Sequence, residues 1–384
     1  MIAVIADDFT GAAELGGIGL RYGLSVEISM VVNSATKADL LIIAADTRST
    51  DEAEAVAEME KITKALLTLQ PGLLFKKTDS VLRGHIVAEL NVQLKVLQCS
   101  RALLVAANPA LGRTIENGIY FLNGQPVHLS SFSADPEFAI TSPDVYNMLR
   151  TPANTVQVCK ATDSLPRQGI IVGEVRDEYD LKAWAGRINK SMLPAGGAGF
   201  FTAILDALKI TGNTYTHAGM PGEPALFVCG TTFHRSRDMI KQVSDGGGPV
   251  SYMPEEIATV KNDDMLPYEA WCNEIVPMVH ANKKAIIAIR EAYAGAAILP
   301  AAVLRKRMAI LVQMVLQRVN IKELFIEGGS TAYSVLQKTG LTGFLPVQEI
   351  SAGVIRMRVE EKPGLYVTVK PGSYDWPPNA WTFS

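Results

Sequence analysis

The first third of the chain repeats one pattern: a short apolar run, a polar cluster, then a stretch with helical spacing. Residues 2–6 are apolar throughout and stop at Asp7-Asp8. Residues 26–32 and 40–45 are further apolar runs, and the latter ends in Asp46-Thr47-Arg48. Residues 73–76 lead into Lys77, Asp79, Ser80 and Arg83, and residues 103–107 into Asn108 through Arg113-Thr114. Between these runs, residues 52–67 place Ala55, Val56, Met59, Ile62, Leu66 and Leu67 on one helical stripe. Short runs that are apolar on both faces are what parallel strands need when helices cover both sides of a sheet. The alternation therefore predicts an α/β fold with mainly parallel sheets. In such sheets ligands bind at the carboxyl ends of the strands, so Asp8, Arg48, Asp79, Arg83 and Arg113 are expected to converge on one edge.

The junction at residues 73–90 is the richest of these clusters. A strand end, two lysines, an acid, a hydroxyl and an arginine precede a helix whose free N–H groups favour anions. Arg83 can fork two hydrogen bonds onto a carboxylate or phosphate. Ser80 or Asp79 could equally be an ordinary N-cap, and so could Asp7 or Asp8. The turn-rich segment 117–138, with Asn117-Gly118, Asn123-Gly124 and Asp135-Pro136, predicts a hairpin or lid-like insertion. The glycine-rich run 195–200 reads as close packing ahead of a helix over 201–208, because no cation lies nearby.

Residues 211–224 have linker composition, which sets expected domains at 1–218 and 219–384. A second α/β pattern then begins, and its strand ends differ in kind. Residues 225–228 end in Cys229-Gly230-Thr231-Thr232, residues 324–326 in Glu327-Gly328-Gly329-Ser330-Thr331, and residues 365–369 in Lys370-Pro371-Gly372-Ser373. Gly, Ser and Thr at a strand-to-helix turn let backbone N–H groups wrap phosphate oxygens, and Lys370 adds a cation. The pattern is neither a Walker A loop nor the dinucleotide fingerprint. It predicts a phosphate-binding domain beside an anion-binding one, with the ligand in a cleft between the two.

A net charge of −3 with no basic run argues against nucleic acid. No window approaches a membrane span, and residues 2–6 are too short an apolar run for a secretory signal. Cys99, Cys159, Cys229 and Cys272 lack disulfide or metal spacing and read as free thiols in a reducing cytoplasm. No side-chain metal site is expected among the five scattered histidines.

Taken together, the motifs resemble the four-carbon acid sugar kinase family. The resemblance runs through Ile5-Ala6-Asp7-Asp8-Phe9-Thr10-Gly11-Ala12, Asp46-Thr47-Arg48, Lys77-Thr78-Asp79-Ser80-Val81-Leu82-Arg83-Gly84 and Gly112-Arg113-Thr114. It continues at Gly230-Thr231-Thr232, Gly328 through Ala332, Gly353 and Lys370-Pro371-Gly372-Ser373. The chain departs from the family at Gly230-Thr231-Thr232-Phe233, where Gly-Ser-x-Ser is usual, and at Tyr374-Asp375-Trp376. The resemblance implies an N-terminal substrate domain, a C-terminal nucleotide domain, and phosphorylation of threonate, erythronate or oxo-tetronate with ATP and Mg²⁺. Arg48, Lys77, Ser80, Arg83 and Arg113 would then hold a small sugar acid, and Asp8 or Asp79 would orient or deprotonate its hydroxyl. Gly230, Thr231, Gly328, Gly329, Ser330, Thr331, Gly353, Lys370 and Gly372 would hold the nucleotide. This reading leaves room for a homodimer. Two other readings remain: a dinucleotide-dependent sugar-acid oxidoreductase, and a sensor that binds a sugar acid and regulates a partner.

Overall fold

The computed structural model describes residues 1–384 except 136–137, 153–154, 213–218, 220–221, 231–232, 261–263, 294–296 and 384. The chain divides into two units, Met1–Tyr215 and Thr216–Ser384. The first begins with β1 (Ile2–Ala6), α1 (Phe9–Arg21), β2 (Val26–Ser29), β3 (Leu40–Ala44), α2 (Glu52–Leu67), β4 (Leu73–Lys77), α3 (Ile86–Leu97) and β5 (Arg101–Val105). An antiparallel insert follows, made of β6 (Arg113–Glu116), β7 (Ile119–Leu122) and β8 (Gln125–Pro126), and then the short α4 (Val145–Met148). The unit closes with β9 (Val156–Cys159), β10 (Gly169–Gly173), α5 (Glu178–Ala185), β11 (Met192–Gly196) and α6 (Ala198–Ala207).

Its main sheet is parallel, in the order β2-β3-β1-β4-β11-β5-β10-β9. β1 and β3 are buried at every position, as their apolar runs require. Ile5 and Ile43 pack with Met59, Ile62 and Leu66 of α2, so these members of the helical stripe meet the sheet, while Leu67, read on the same stripe, is exposed. The insert contains the expected hairpin.

The central strand β11 was not legible as a strand, because Pro194, Ala195 and Gly196 have poor strand propensity. Its register shows how Pro194 is tolerated. The Gly196 carbonyl accepts from Thr78 of the β4 side at 3.0 Å, so Pro194, two residues earlier, faces the same side. Pairing with β4 begins only at Ala195, and the missing N–H of Pro194 costs no ladder bond there. Gly196 has φ +149, and a Cβ on it would sit 1.9 Å from the Val105 carbonyl oxygen. The glycine-rich run is therefore a close-packing device, as its sequence suggested.

The second unit contains β12 (Ala225–Cys229), α7 (His234–Asp245), β13 (Val250–Tyr252), α8 (Glu255–Thr259), α9 (Leu266–Asn282) and β14 (Lys284–Ala288). It continues with α10 (Ala301–Arg318), β15 (Glu323–Glu327), α11 (Gly329–Thr339), β16 (Gly343–Ser351), β17 (Val354–Val359) and β18 (Tyr366–Lys370). Strands run β13-β14-β12-β15-β18-β17-β16, parallel as far as β18 and antiparallel beyond it. Helix α9 was not foreseen, because its internal Pro277 interrupts the helical pattern. No helix among the described residues is long and apolar enough to cross a membrane.

One face of this second sheet is covered by the C-terminal tail. Phe227 and Phe325 stack at 4.2 Å, and Trp376 meets them edge-on at 5.8 and 5.6 Å. Trp381 and Phe383 add further edge contacts to Phe227. Trp376 is a buried member of the core around β12 and β15, although it lies beyond the last strand. Trp376→Ala should therefore destabilise the second unit by about 3–5 kcal/mol, the range for truncating a core aromatic. Urea unfolding followed by fluorescence would read this; a change below about 1 kcal/mol would mean the tail is not part of the core.

Candidate functional site

Strand ends of the first unit build a buried cluster of alternating charge. Asp8 follows β1 and caps α1: Oδ1 accepts from the Gly11 amide at 2.7 Å, and Oδ2 from Thr10 Oγ1 at 2.8 Å. Oδ2 also accepts from Arg48 Nη2, so the cap and the ion pair are the same carboxylate. Arg48, on the short turn after β3, donates through Nη1 to Asp79 Oδ1 at 3.0 Å and lies 3.8 Å from Asp7 Oδ2. Asp79 accepts from Arg83 Nε and Nη2 at 2.9 and 2.7 Å, and from the amides of Val81 and Arg83. Arg83 Nη1 then donates to Asp135 Oδ2 at 2.6 Å. The series Asp8–Arg48–Asp79–Arg83–Asp135 thus ties the start of α1 to the loop beyond the insert.

The two adjacent lysines part company, as strand geometry demands. Lys77 Nζ donates to the Thr78 carbonyl at 3.0 Å and lies 3.6 Å from Glu14 Oε2. Lys76 is wholly buried and pairs with Glu89 of α3 at 2.7 Å. Lys76 is therefore a packing residue, and Lys77 belongs to the cluster.

Arg113 differs from the other cations. Its Nη1 donates to Ser80 Oγ at 2.7 Å, and Tyr120 Oη donates to the Ser80 carbonyl at 2.5 Å. Its buried Nε has no hydrogen-bond partner, and among the described residues no carboxylate pairs with it. The Phe132 ring lies 5.2 Å from the Arg83 guanidinium and 6.0 Å from that of Arg113. Arg48 and Arg83, expected from sequence to hold a ligand, are engaged with carboxylates of the protein itself. Asp135, Tyr120 and Phe132 escaped the sequence reading, since nothing in their spacing relates the insert to the strand ends.

The three aspartates sit in different electrostatic environments. Burial favours the neutral form of Asp79, but the Arg83 and Arg48 guanidiniums outweigh it and hold this carboxyl far below the usual range. Burial acts on Asp8 too, and Arg48, Lys77 and the cap hydrogen bonds bring it below its ordinary value. Asp7 is 3% exposed, and both its oxygens lack a hydrogen-bond partner. Burial raises its pKa from 3.8 to about 6; Arg48 opposes the rise and Asp8 adds to it. Sequence reasoning chose Asp8 over Asp7, and nothing in the sequence could show which of two neighbours receives the hydrogen bonds.

In the second unit the predicted phosphate turns meet. Gly328, at φ +91, precedes α11, and Gly329 is buried in that helix's first turn. A Cβ on Gly230 would lie 2.6 Å from Thr331 Oγ1, so the ends of β12 and β15 approach closely. Backbone this bare at a helix start, with Ser330 beside it, fits the phosphates of a nucleotide. Thr231, assigned to the same site from sequence, lies outside the described residues.

Lys370 does not fit that role. It is fully buried, pairs with Glu327 Oε1 at 2.6 Å and donates to the Tyr374 carbonyl at 2.7 Å. Lys370, expected from sequence as a phosphate cation, is thus engaged with groups of the protein itself, and its charge fixes the turn after β18. Gly353, at φ +74, seats the Tyr374 ring, and Gly372 lies in that turn just before Tyr374. Glu327 also accepts from Ser236 of α7. Burial raises the Glu327 pKa, and Lys370 and Ser236 counter the rise. Among the described residues no cluster of three or more His, Cys, Asp or Glu could hold a metal.

A family model described as a sugar-binding N-terminal domain matches residues 2–204, and one described as a nucleotide-binding C-terminal domain matches residues 267–374. The 3-oxo-tetronate kinase of Actinobacillus succinogenes is 25% identical over 97% of this chain and 96% of its own. The D-threonate kinase of Salmonella typhimurium is 32% identical, with a match spanning 36% of this chain and 34% of that protein. A solved Salmonella typhimurium structure, named as a putative tRNA synthase, shares the fold with a TM-score of 0.75 at 18% identity, covering 97% of this chain and 96% of that one.

The isolation of Asp7 has a consequence for stability. Because its folded pKa is raised from 3.8 to about 6, the stability it contributes is fully present below the lower value and lost as pH rises through the higher one. Asp7→Asn should therefore stabilise the protein relative to the parent at pH 7.5 more than at pH 4.5, by about 2 kcal/mol, since an ordinary aspartate is already mostly ionised at pH 4.5. Urea midpoints at both pH values test this. A pH-independent difference would show that ionisation of Asp7 is not linked to folding.

Proposed function

Because this chain belongs to the four-carbon acid sugar kinase family, we propose that it transfers the γ-phosphoryl group of ATP to the terminal hydroxyl of a four-carbon sugar acid. The observation that carries the reading is the state of the cations at the carboxyl edge of the first unit. Arg48, Lys77 and Arg83 are balanced by Asp7, Asp8, Asp79, Glu14 and Asp135, while among the described residues no carboxylate pairs with Arg113 and its Nε has no hydrogen-bond partner. One open guanidinium beside hydroxyl and backbone donors suits a single carboxylate on a small polar molecule.

In this reading Arg113 takes the acid's carboxylate, and Ser80, which accepts from Arg113, keeps its own proton to give to a ligand hydroxyl. Asp8 orients the attacking hydroxyl, with Lys77 beside it. Asp8 and Asp79 are both held ionised, so they serve as acceptors that position a proton more than as strong bases. Phosphoryl transfer tolerates this, because its loose transition state asks mainly for alignment and charge neutralisation. ATP supplies the phosphoryl group and Mg²⁺ offsets the charge of its phosphates. Gly230, Gly328, Gly329, Ser330 and Thr331 would hold those phosphates, the buried Glu327–Lys370 pair keeping the turns in place. A dinucleotide-dependent oxidoreductase finds no support in a second unit whose turns lack the Gly-x-Gly-x-x-Gly spacing.

The first test is ADP release with D-threonate, D-erythronate and 3-oxo-tetronate, paired with thermal shifts for ATP–Mg²⁺ and NADH. Stabilisation by NADH and no ADP release with any acid would reject the kinase. Arg113→Ala should raise KM for the acid by about one to two orders of magnitude, the worth of a charged hydrogen-bonded contact, with ATP affinity unchanged. Asp8→Asn keeps an N-cap-competent side chain, so the fold should survive while kcat falls by about 10²-fold or more. Near-parental kcat in that variant would remove Asp8 from the chemistry.

A further inference from the structure

A cavity of about 240 Å³ lies in the first unit between the Val81–Gly84 turn and the segment from Phe138 to Arg150. Its polar lining is Arg83, Thr141, Ser142, Asn147 and Arg150; Leu82, Ile140 and Met148 supply an apolar side. The two arginines are not equivalent. Arg83 is engaged with Asp79 and Asp135, so its charge is already answered. Arg150 is exposed to solvent and has no carboxylate partner among the described residues; its guanidinium lies 5.3 Å from the Phe138 ring centroid. Arg150 also sits at φ +50, a backbone state unusual for a residue that is not glycine. Eight other described non-glycine residues share it, and here it follows the end of α4, where chains commonly turn left-handed.

One uncompensated cation, a ring and aliphatic side chains for C–H groups, and two hydroxyls with an amide for hydroxyl groups describe a definite ligand. We propose that this cavity is a second sugar-acid subsite, apart from the acceptor position, in which Arg150 takes the carboxylate of a short polyhydroxy acid. Thr141, Ser142 and Asn147 take its hydroxyls, and the Phe138 side accepts its C–H face. The ligand class rests on the function proposed above; the site itself rests on the cavity and on Arg150. Arg83 lines the cavity while holding Asp79, so a ligand here acts on the acceptor site through that ion pair. Velocity should therefore depart from a single hyperbola at high acid concentration.

The test is calorimetric titration of the full chain with D-threonate and D-erythronate, and with inorganic phosphate as a bare anion. The parent should bind two equivalents of at least one acid. Arg150→Gly should bind one, with the acceptor KM and kcat within about twofold of the parent and hyperbolic kinetics. Glycine accepts positive φ freely, so this variant should melt at or above the parent temperature. Arg150→Asn, which also tolerates that backbone, should behave in the same way. Two equivalents retained by both variants would overturn the proposal. So would a tenfold loss of kcat/KM, which would make the cavity the acceptor site itself, and so would phosphate binding there as tightly as the acids. One equivalent in the parent, unchanged by Arg150→Gly, rejects the second subsite and leaves the kinase standing. A parent that binds no sugar acid rejects both.

Discussion

The Arg48 guanidinium is the contact on which the first unit's functional edge depends. It stands against carboxylates from two strand ends, Asp7 and Asp8 after β1 and Asp79 after β4. Burying three carboxylates within reach of one another would drive their pKa values up and push the strand ends apart. One planar cation with several donors offsets that repulsion at Asp8 and Asp79 through direct hydrogen bonds. Asp7 receives no hydrogen bond, which is why it alone of the three is raised. Removing Arg48 would leave buried charges uncompensated, a far larger loss than the pair itself is worth.

Arg83 extends the same logic outward. It takes both oxygens of Asp79 and reaches Asp135 beyond the insert. The loop beyond the insert is thereby fastened to the cluster by charge. Tyr120 does the same from β7 through the Ser80 carbonyl. Within this fixed frame Arg113 stands out because among the described residues no carboxylate pairs with it; Arg150, also without such a partner, is exposed to solvent. Cations consumed by the fold and cations left over for a ligand look alike in a sequence, but they differ sharply in what they can bind.

The second unit uses charge for a different purpose. Glu327 and Lys370 sit at adjacent strand ends beneath the Gly328 turn and are joined by Ser236 of α7. A buried pair of this kind adds little net stability, but it fixes where its partners lie. Here it sets the position of the turn that opens α11. The aromatic tail packs on Phe227 of β12 and Phe325 of β15, so residues beyond the last strand belong to the core.

The architecture was legible because strands apolar on both faces and helices apolar on one stripe are local properties, set by water's exclusion from each element. Asp8, Arg48, Asp79, Arg83 and Arg113 fell at one edge because parallel topology forces every strand to end on the same side. The same local reading missed β11, whose strand character comes from its neighbours' hydrogen bonds and not from Pro194 or Gly196, and α9, whose proline hides its stripe. It placed Asp8 and Lys77 in the site but had no physical ground for preferring them to Asp7 and Lys76, since adjacent residues differ only in which side of the strand they face. It could not show that Lys370 pairs with Glu327, far away in sequence. The sequence by itself thus determined which elements form and at which ends the polar residues collect. Tertiary structure alone decided which of those charges are neutralised, because an ion pair depends on distances of a few ångströms between residues that the chain separates by dozens of positions.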